Sequence, residues 1–168
     1  MQQHEEFMRL ALSEAAQALA TGEFPVGCVL VADGEVLVRS RRLHSREDTV
    51  NEFEHAEIVA VQKLVAEYPG IAKERIILYS TMEPCLMCYA ALLLNGIHTI
   101  VYGYEDVMGG GTNLQLTDLN PLYQKMRVSL VPHVLRHECL ALFKQFFANQ
   151  ANAYWQESRL AQYTLDQP

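Results

Sequence analysis

Apolar residues recur every three or four positions along residues 6–20, and the dipeptide Thr21-Gly22 ends this pattern. Such spacing predicts an amphipathic helix. Two apolar runs follow at residues 26–32 and 35–38, and only Asp33-Gly34 separates them. Because Asp-Gly readily adopts the positive φ angles of a two-residue turn, the two runs predict a β-hairpin.

Downstream of the hairpin, segments with helical periodicity alternate with short apolar runs. The pattern predicts helices over residues 56–66, 85–94 and 135–147, strands over 76–79, 98–102 and 127–131, and a short segment near 119–126. A strand–helix–strand unit places its helix on a face of the sheet. We therefore predict an α/β fold of three layers, α/β/α, with helices on both faces of a mixed sheet. A single domain is expected, with its core over about residues 4–148 and a helical tail over 149–168.

The composition of the chain indicates which partners it binds and in which compartment it is found. The chain has 168 residues, with 20 acidic and 13 basic side chains and a net charge of −7. An acidic chain repels the nucleic-acid backbone at long range, so a nucleic-acid partner is disfavoured. No basic segment leads into an apolar run at the N-terminus, and no apolar run is long enough to span a membrane, so we expect a cytoplasmic protein without a membrane partner.

Two short motifs carry the candidate chemistry. His55-Ala56-Glu57 opens one predicted helix, and Pro84-Cys85-Leu86-Met87-Cys88 opens the next. One imidazole and two thiolates suit Zn²⁺, and three protein ligands leave a fourth position for water. A structural zinc site would need a further ligand, and no spacing in the chain recommends one. A non-catalytic, zinc-stabilised binding module therefore stays a remote alternative.

Glu57 is the candidate catalytic residue. It lies in the first turn of its helix, where side chains lean back over the open end and approach the cavity that His55 faces. A carboxylate there can take a proton from water and pass it to a ring nitrogen before ammonia leaves. The sequence thus predicts a hydrolytic deaminase with Glu57 as the proton shuttle.

The order H-x-E and then P-C-x-x-C resembles the signature of the cytidine-deaminase-like zinc deaminases. The resemblance extends over about residues 7–147 and is strongest with the guanine, cytosine and transfer-RNA adenosine deaminases. It implies zinc ligation by His55, Cys85 and Cys88 and proton transfer by Glu57. It also implies a mixed five-stranded sheet and a homodimer.

Four residues are candidates for substrate binding: Val26, Arg42, Met82 and Trp155. Gly27 follows Val26 in a predicted strand, where a glycine either serves strand packing or, as we favour here, admits the close approach of a ligand. Arg42 stands where many members of the resembled family carry a substrate-contacting asparagine. Trp155, the only tryptophan, either covers the pocket like the aromatic lid of cytosine and guanine deaminases or packs the tail against the core or a second subunit.

The predicted substrate is a free base or a small nucleobase-like compound, of the guanine or cytosine type. The alternatives are a transfer-RNA adenosine and a nucleotide such as CMP or dCMP. The basic cluster at residues 39–46, Arg-Ser-Arg-Arg-Leu-His-Ser-Arg, bears on this choice. It is either a phosphate site or a solvated hairpin end that keeps a sheet edge soluble.

Overall fold

A sheet of five strands forms the middle layer of the fold. The computed structural model describes residues 2–46, 48 and 50–168. The strands are β1 (Gly27–Ala32), β2 (Glu35–Arg41), β3 (Ile76–Met82), β4 (Thr99–Tyr104) and β5 (Ser129–Val131). Their spatial order is β2-β1-β3-β4-β5. Strand β1 is antiparallel to β2 and β3, whereas β3, β4 and β5 run parallel, so the mixed five-stranded sheet is confirmed.

Helices cover both faces of this sheet. Those longer than one turn are α1 (Gln2–Ala20), α2 (Ala56–Glu67), α3 (Leu86–Leu94), α5 (Arg136–Ala148) and α6 (Arg159–Asp166), and the short α4 spans Pro121–Gln124. Helices α1 and α5 contact each other on one face, and α2 and α3 contact each other on the opposite face. The predicted α/β/α layering is therefore confirmed. None of the helices in the described part of the chain is both long and apolar enough to cross a bilayer.

The predicted hairpin is confirmed, with its turn at Asp33-Gly34. Both turn residues have positive φ angles, 53° at Asp33 and 83° at Gly34. These angles match the twist that a two-residue turn must give to a pair of antiparallel strands. The strand after the next helix is longer than predicted, because β3 continues through the buried residues Ser80, Thr81 and Met82. These three residues carry the chain to the sheet edge where the candidate site lies.

Gly27 serves the packing of helix α1 and not the approach of a substrate. A Cβ at this position would lie 2.1 Å from the carbonyl oxygen of Ala11 and 2.4 Å from the amide nitrogen of Ala15. Both atoms belong to the helix backbone, which cannot yield by a side-chain rotation. The prediction that this glycine admits a ligand is therefore wrong.

The C-terminal helix α6 is anchored through the carboxylate of Glu105, just after β4. Arg136 Nε donates a hydrogen bond to Glu105 Oε2 at 2.8 Å, and the Tyr163 hydroxyl donates to Oε1 at 2.7 Å. Burial raises the pKa of Glu105, but these hydrogen bonds outweigh burial and lower the pKa from 4.5 to about 2. The network joins α5 and α6 to the end of β4.

We expect Glu105→Gln to lower the free energy of unfolding by about 1–2 kcal/mol at pH 7, a value reduced for the partial exposure of the carboxylate. Since the folded-state pKa is depressed, this contribution is complete above pH 4.5 and is lost as the pH falls towards 2. Urea unfolding of both proteins at several pH values measures it. Glu6→Gln, at an exposed position of α1, is the control. A stability difference that stayed constant over this pH range would contradict the prediction.

Candidate active site

The candidate metal ligands meet at one edge of the sheet because both motifs lie where helices begin. His55 directly precedes α2, and Cys85 directly precedes α3; both have extended backbones, with ψ angles of 149° and 170°. Cys85 was predicted inside the helix but is the residue before it. His55 Nδ1 lies 3.5 Å from Cys85 Sγ and 3.5 Å from Cys88 Sγ. The structure thus brings the three residues together.

The geometry of this cluster fits a tetrahedral zinc ion. Zinc–nitrogen bonds of ~2.1 Å and zinc–sulfur bonds of ~2.3 Å at the tetrahedral angle separate the two ligand atoms by about 3.6 Å. Both observed nitrogen–sulfur distances are 3.5 Å. Within the described ranges, no fourth His, Cys, Asp or Glu joins the group. The arrangement is therefore that of an open site, and it gives no support to a closed structural one.

The surroundings of the two thiols favour ionisation of one of them. The hydrogen bond with Cys88 is the main cause that lowers the pKa of Cys85; burial opposes it and His55 lowers the pKa as well, to a net value of about 4. The same bond raises the pKa of Cys88, as does its burial. Of the two sulfur atoms, Cys85 is therefore the one on which the thiolate, the form that binds metals, is favoured.

Glu57 lies beside the cluster without belonging to it. Its side chain is buried; Ser80 Oγ donates to Oε1 at 3.3 Å, and Cys88 Sγ lies 3.6 Å from Oε2. Burial raises the pKa of Glu57, and the negative charge of Cys85 raises it further. A carboxyl group with a raised pKa is better suited to accept and return a proton during a reaction than one with the ordinary value.

A cavity of about 150 Å³ opens onto this cluster. It is smaller than the ~300–1,000 Å³ typical of pockets for drug-sized ligands, so it suits one flat ring system. The four candidate substrate-binding residues, Val26, Arg42, Met82 and Trp155, all line it. Other lining residues are Phe24, Glu52, Glu83, Asp106, Met108, Tyr154 and Leu160.

Arg42 is a pocket residue and not part of a solvated edge. Its side chain is 2% exposed, and Nη1 donates to the carbonyl oxygens of Leu43 and Asn51 at 2.7 and 2.8 Å. Its neighbour Arg41 points elsewhere, since it pairs with Glu14 at 2.9 Å. The segment therefore does not form one continuous basic patch.

Sequence reasoning singled out neither Glu52 nor Tyr154 as a candidate site residue. Glu52 Oε2 lies 3.2 Å from His55 Nε2 and accepts a hydrogen bond of 2.9 Å from the Tyr154 hydroxyl. The sequence offered one signal for the contact between Glu52 and His55, because the two residues are only three positions apart in the chain. No sequence signal joins Glu52 to Tyr154, which lies 102 positions away.

Glu83 and Asp106 were also missed, and both brace the loop that supports Cys85. Glu83 Oε2 accepts from the Asp106 amide at 3.1 Å, and Oε1 accepts from the Thr112 amide at 3.3 Å. A Cβ on Gly111 would lie 2.7 Å from Leu86 Cα, so the glycine lets this loop pack on the start of α3. The sequence carried a signal for these two residues. Both carboxylates follow neighbouring parallel strands, and the carboxyl ends of such strands meet at one edge of the sheet, where ligands bind.

Comparison with known proteins identifies several relatives. Residues 1–104 match the model of the cytidine and deoxycytidylate deaminase zinc-binding region. The tRNA-specific adenosine deaminase of Bacillus subtilis is 33% identical over 147 residues, which covers 88% of this chain and 90% of that protein. The tRNA-specific adenosine deaminase of Aquifex aeolicus is 32% identical over 88% of this chain and 96% of its own.

Solved structures agree in fold. One from a study of A-to-I editing by tRNA:A34 deaminases superposes with a TM-score of 0.70 and 29% identity, covering 82% of this chain and 98% of its own. The guanine deaminase from Nitrosomonas europaea has a TM-score of 0.68 and 17% identity, covering 86% of this chain and 85% of its own. The second likeness concerns the fold alone.

These relatives overturn the prediction that a nucleic-acid partner is disfavoured. Proteins named for action on transfer RNA match this chain over nearly its full length. The prediction failed because a net charge of −7 is a sum over the whole surface, whereas phosphate contacts are local. The family model and the relatives also agree with the resemblance found in the sequence. The chain belongs to the cytidine and deoxycytidylate deaminase zinc-binding family and is a zinc-dependent hydrolytic deaminase.

Proposed function

We propose that this protein deaminates adenosine in a transfer RNA, in the cytoplasm. The observation that carries the proposal is the similarity to tRNA-specific adenosine deaminases over 88% of the chain, together with a base-sized cavity beside the metal cluster. In this reaction water adds to C6 of the adenine ring and ammonia leaves, which converts adenosine to inosine.

In the proposed mechanism His55, Cys85 and Cys88 would hold a zinc ion, which when bound would supply a Lewis acid that activates water. Glu57 accepts the proton of the attacking water and delivers it to a ring nitrogen. The same carboxyl group then takes the proton of the hydroxyl that has added to C6 and passes it to the amino group, so the C6–N bond breaks and ammonia leaves. Ser80 holds Glu57 through its hydrogen bond of 3.3 Å and so fixes the direction in which the proton moves.

The remaining walls of the cavity would orient the base. Val26 and Met82 offer apolar surface, and the Trp155 ring is available for stacking. Nη1 of Arg42 donates to two carbonyl oxygens, and one N–H of Nη2 donates to Glu52. The N–H of Nε and the second N–H of Nη2 remain as donors. Arg42 is therefore suited to donate a hydrogen bond to an acceptor on the substrate.

A second candidate is a free base of the guanine or cytosine type. The observation that favours it is the C-terminal segment, where Tyr154 and Trp155 line the mouth of the cavity and lie 5.7 Å apart as a T-shaped pair. A cover of this kind excludes water from a small bound ring.

The two candidates are separated by one comparison of substrates. The zinc-loaded protein is incubated with a transfer-RNA anticodon stem-loop that carries adenosine at the wobble position, and in parallel with free guanine, cytosine and adenine. We expect inosine in the stem-loop by mass spectrometry and no ammonia from the free bases. A stem-loop with guanosine at that position is the control. Turnover of a free base alone would replace the proposal by the second candidate.

We also propose the homodimer that the resemblance implies. Leu86 and Leu94 of α3 are 56% and 54% exposed, and they lie eight residues apart on one side of the helix. With Ala90 between them they form an apolar stripe beside the metal cluster. A second copy of the chain would remove this stripe from water.

A further inference from the structure

We propose that Glu52 is a positioning residue that ties the His55 imidazole to the aromatic cover of the cavity, defined here as Tyr154 and Trp155. A single carboxylate oxygen, Glu52 Oε2, makes three contacts. It lies 3.2 Å from His55 Nε2, 3.2 Å from Arg42 Nη2 and 2.9 Å from the Tyr154 hydroxyl. Glu52 thus touches the metal cluster, a buried pocket donor and the C-terminal segment together.

The contact with His55 orients the imidazole towards the metal. A neutral imidazole carries one N–H, and a carboxylate beside Nε2 keeps the proton on that nitrogen. The lone pair of Nδ1 is then free on the side that faces Cys85 and Cys88, where both sulfur atoms lie 3.5 Å away. Glu52 therefore selects the ring orientation and tautomer that zinc binding requires.

The contact with Tyr154 fixes the aromatic cover. The Tyr154 ring packs on Phe24 with centroids 5.3 Å apart, and its centroid lies 5.7 Å from the Arg42 guanidinium carbon. Its hydroxyl bond to Glu52 sets where the segment lies over the cavity. Trp155 follows with a positive φ of 56° and is 46% exposed, so few contacts of its own hold it there.

These contacts through one oxygen couple zinc binding to the position of the cover. Coupling between two equilibria is reciprocal, so zinc binding strengthens the closed cover by the same factor by which the closed cover strengthens zinc binding. A change that frees Tyr154 is therefore expected to weaken zinc binding. Glu52 is 52% exposed, which keeps each hydrogen bond modest and the expected effects partial. The inference rests on the assignment of His55 as a zinc ligand under the proposed function.

The test measures zinc affinity by competition with a chromophoric zinc chelator. We expect Glu52→Gln to weaken zinc binding about 10–100-fold, the usual effect of removing a partner of a metal-binding histidine. Tyr154→Phe is expected to weaken it by about fivefold, the equivalent of one hydrogen bond. The matched control is Glu54→Gln, since Glu54 lies in the same segment but accepts from Asn51 at 3.0 Å and from His44. Its affinity should equal that of the wild type.

A second readout follows the cover itself. Trp155 is the only tryptophan, so quenching of its fluorescence by acrylamide reports the exposure of the segment. Quenching of the zinc-loaded protein should increase in Glu52→Gln and Tyr154→Phe but not in Glu54→Gln. Unchanged zinc affinity in Glu52→Gln, or weakened affinity without a change in quenching, would overturn the inference. If His55→Ala retained full zinc content, the metal assignment and this inference would both fall.

Discussion

Glu57→Gln is expected to retain zinc and to lower kcat by about 10²–10⁴-fold, the usual contribution of a general acid–base residue. Gln keeps the size of the side chain and can accept the hydrogen bond that Ser80 donates to Glu57 at 3.3 Å. An amide cannot carry a proton between water and the base, so chemistry fails while the site stays intact. Ammonia release, together with the zinc content per chain, measures both halves of the prediction.

The matched control for this variant is Glu67→Gln, at the exposed last residue of α2. It makes the same chemical change on the same helix, far from the metal cluster, and should leave kcat unaltered. Retained turnover in Glu57→Gln would remove Glu57 from the mechanism. Loss of zinc in that variant would instead make Glu57 a determinant of the metal site.

Cys88→Ser should abolish zinc binding and deaminase activity together. A hydroxyl, which is a poorer zinc ligand, replaces a buried sulfur ligand, and of the cluster only His55 and Cys85 remain to hold the ion. Zinc present at ~1,000 times its Kd stabilises a folded protein by about 4 kcal/mol, which corresponds to roughly 10 °C in Tm for a chain of this size. We therefore expect the zinc-dependent rise in Tm to disappear in the variant.

The control for the metal-site variant is Cys139→Ala, which removes a different buried thiol. Cys139 lies in α5 and packs against Gly103, away from the metal cluster. Its loss should lower Tm both with and without zinc but leave the zinc-dependent rise intact. A normal zinc content in Cys88→Ser, measured by elemental analysis, would contradict the assignment of this cysteine.

The sequence by itself predicted the elements whose causes are local. The Asp33-Gly34 turn follows from the conformations open to two neighbouring residues, and the layers follow from the periodicity of short segments. The metal cluster was predictable for a similar reason. Each motif begins a helix next to the sheet edge, so spacings of two and three residues fix which side chains face the same point.

Only the tertiary structure decided the surroundings of that cluster. The close contact of Gly27 with α1, the burial of Arg42 and the bond between Glu52 and Tyr154 all join segments distant in the chain. A periodicity argument describes which face of one segment is apolar, but it cannot show which polar atom meets which across 102 positions. The net charge failed as a guide to partners for the same physical reason, because a sum over the chain carries no information on where the charges lie.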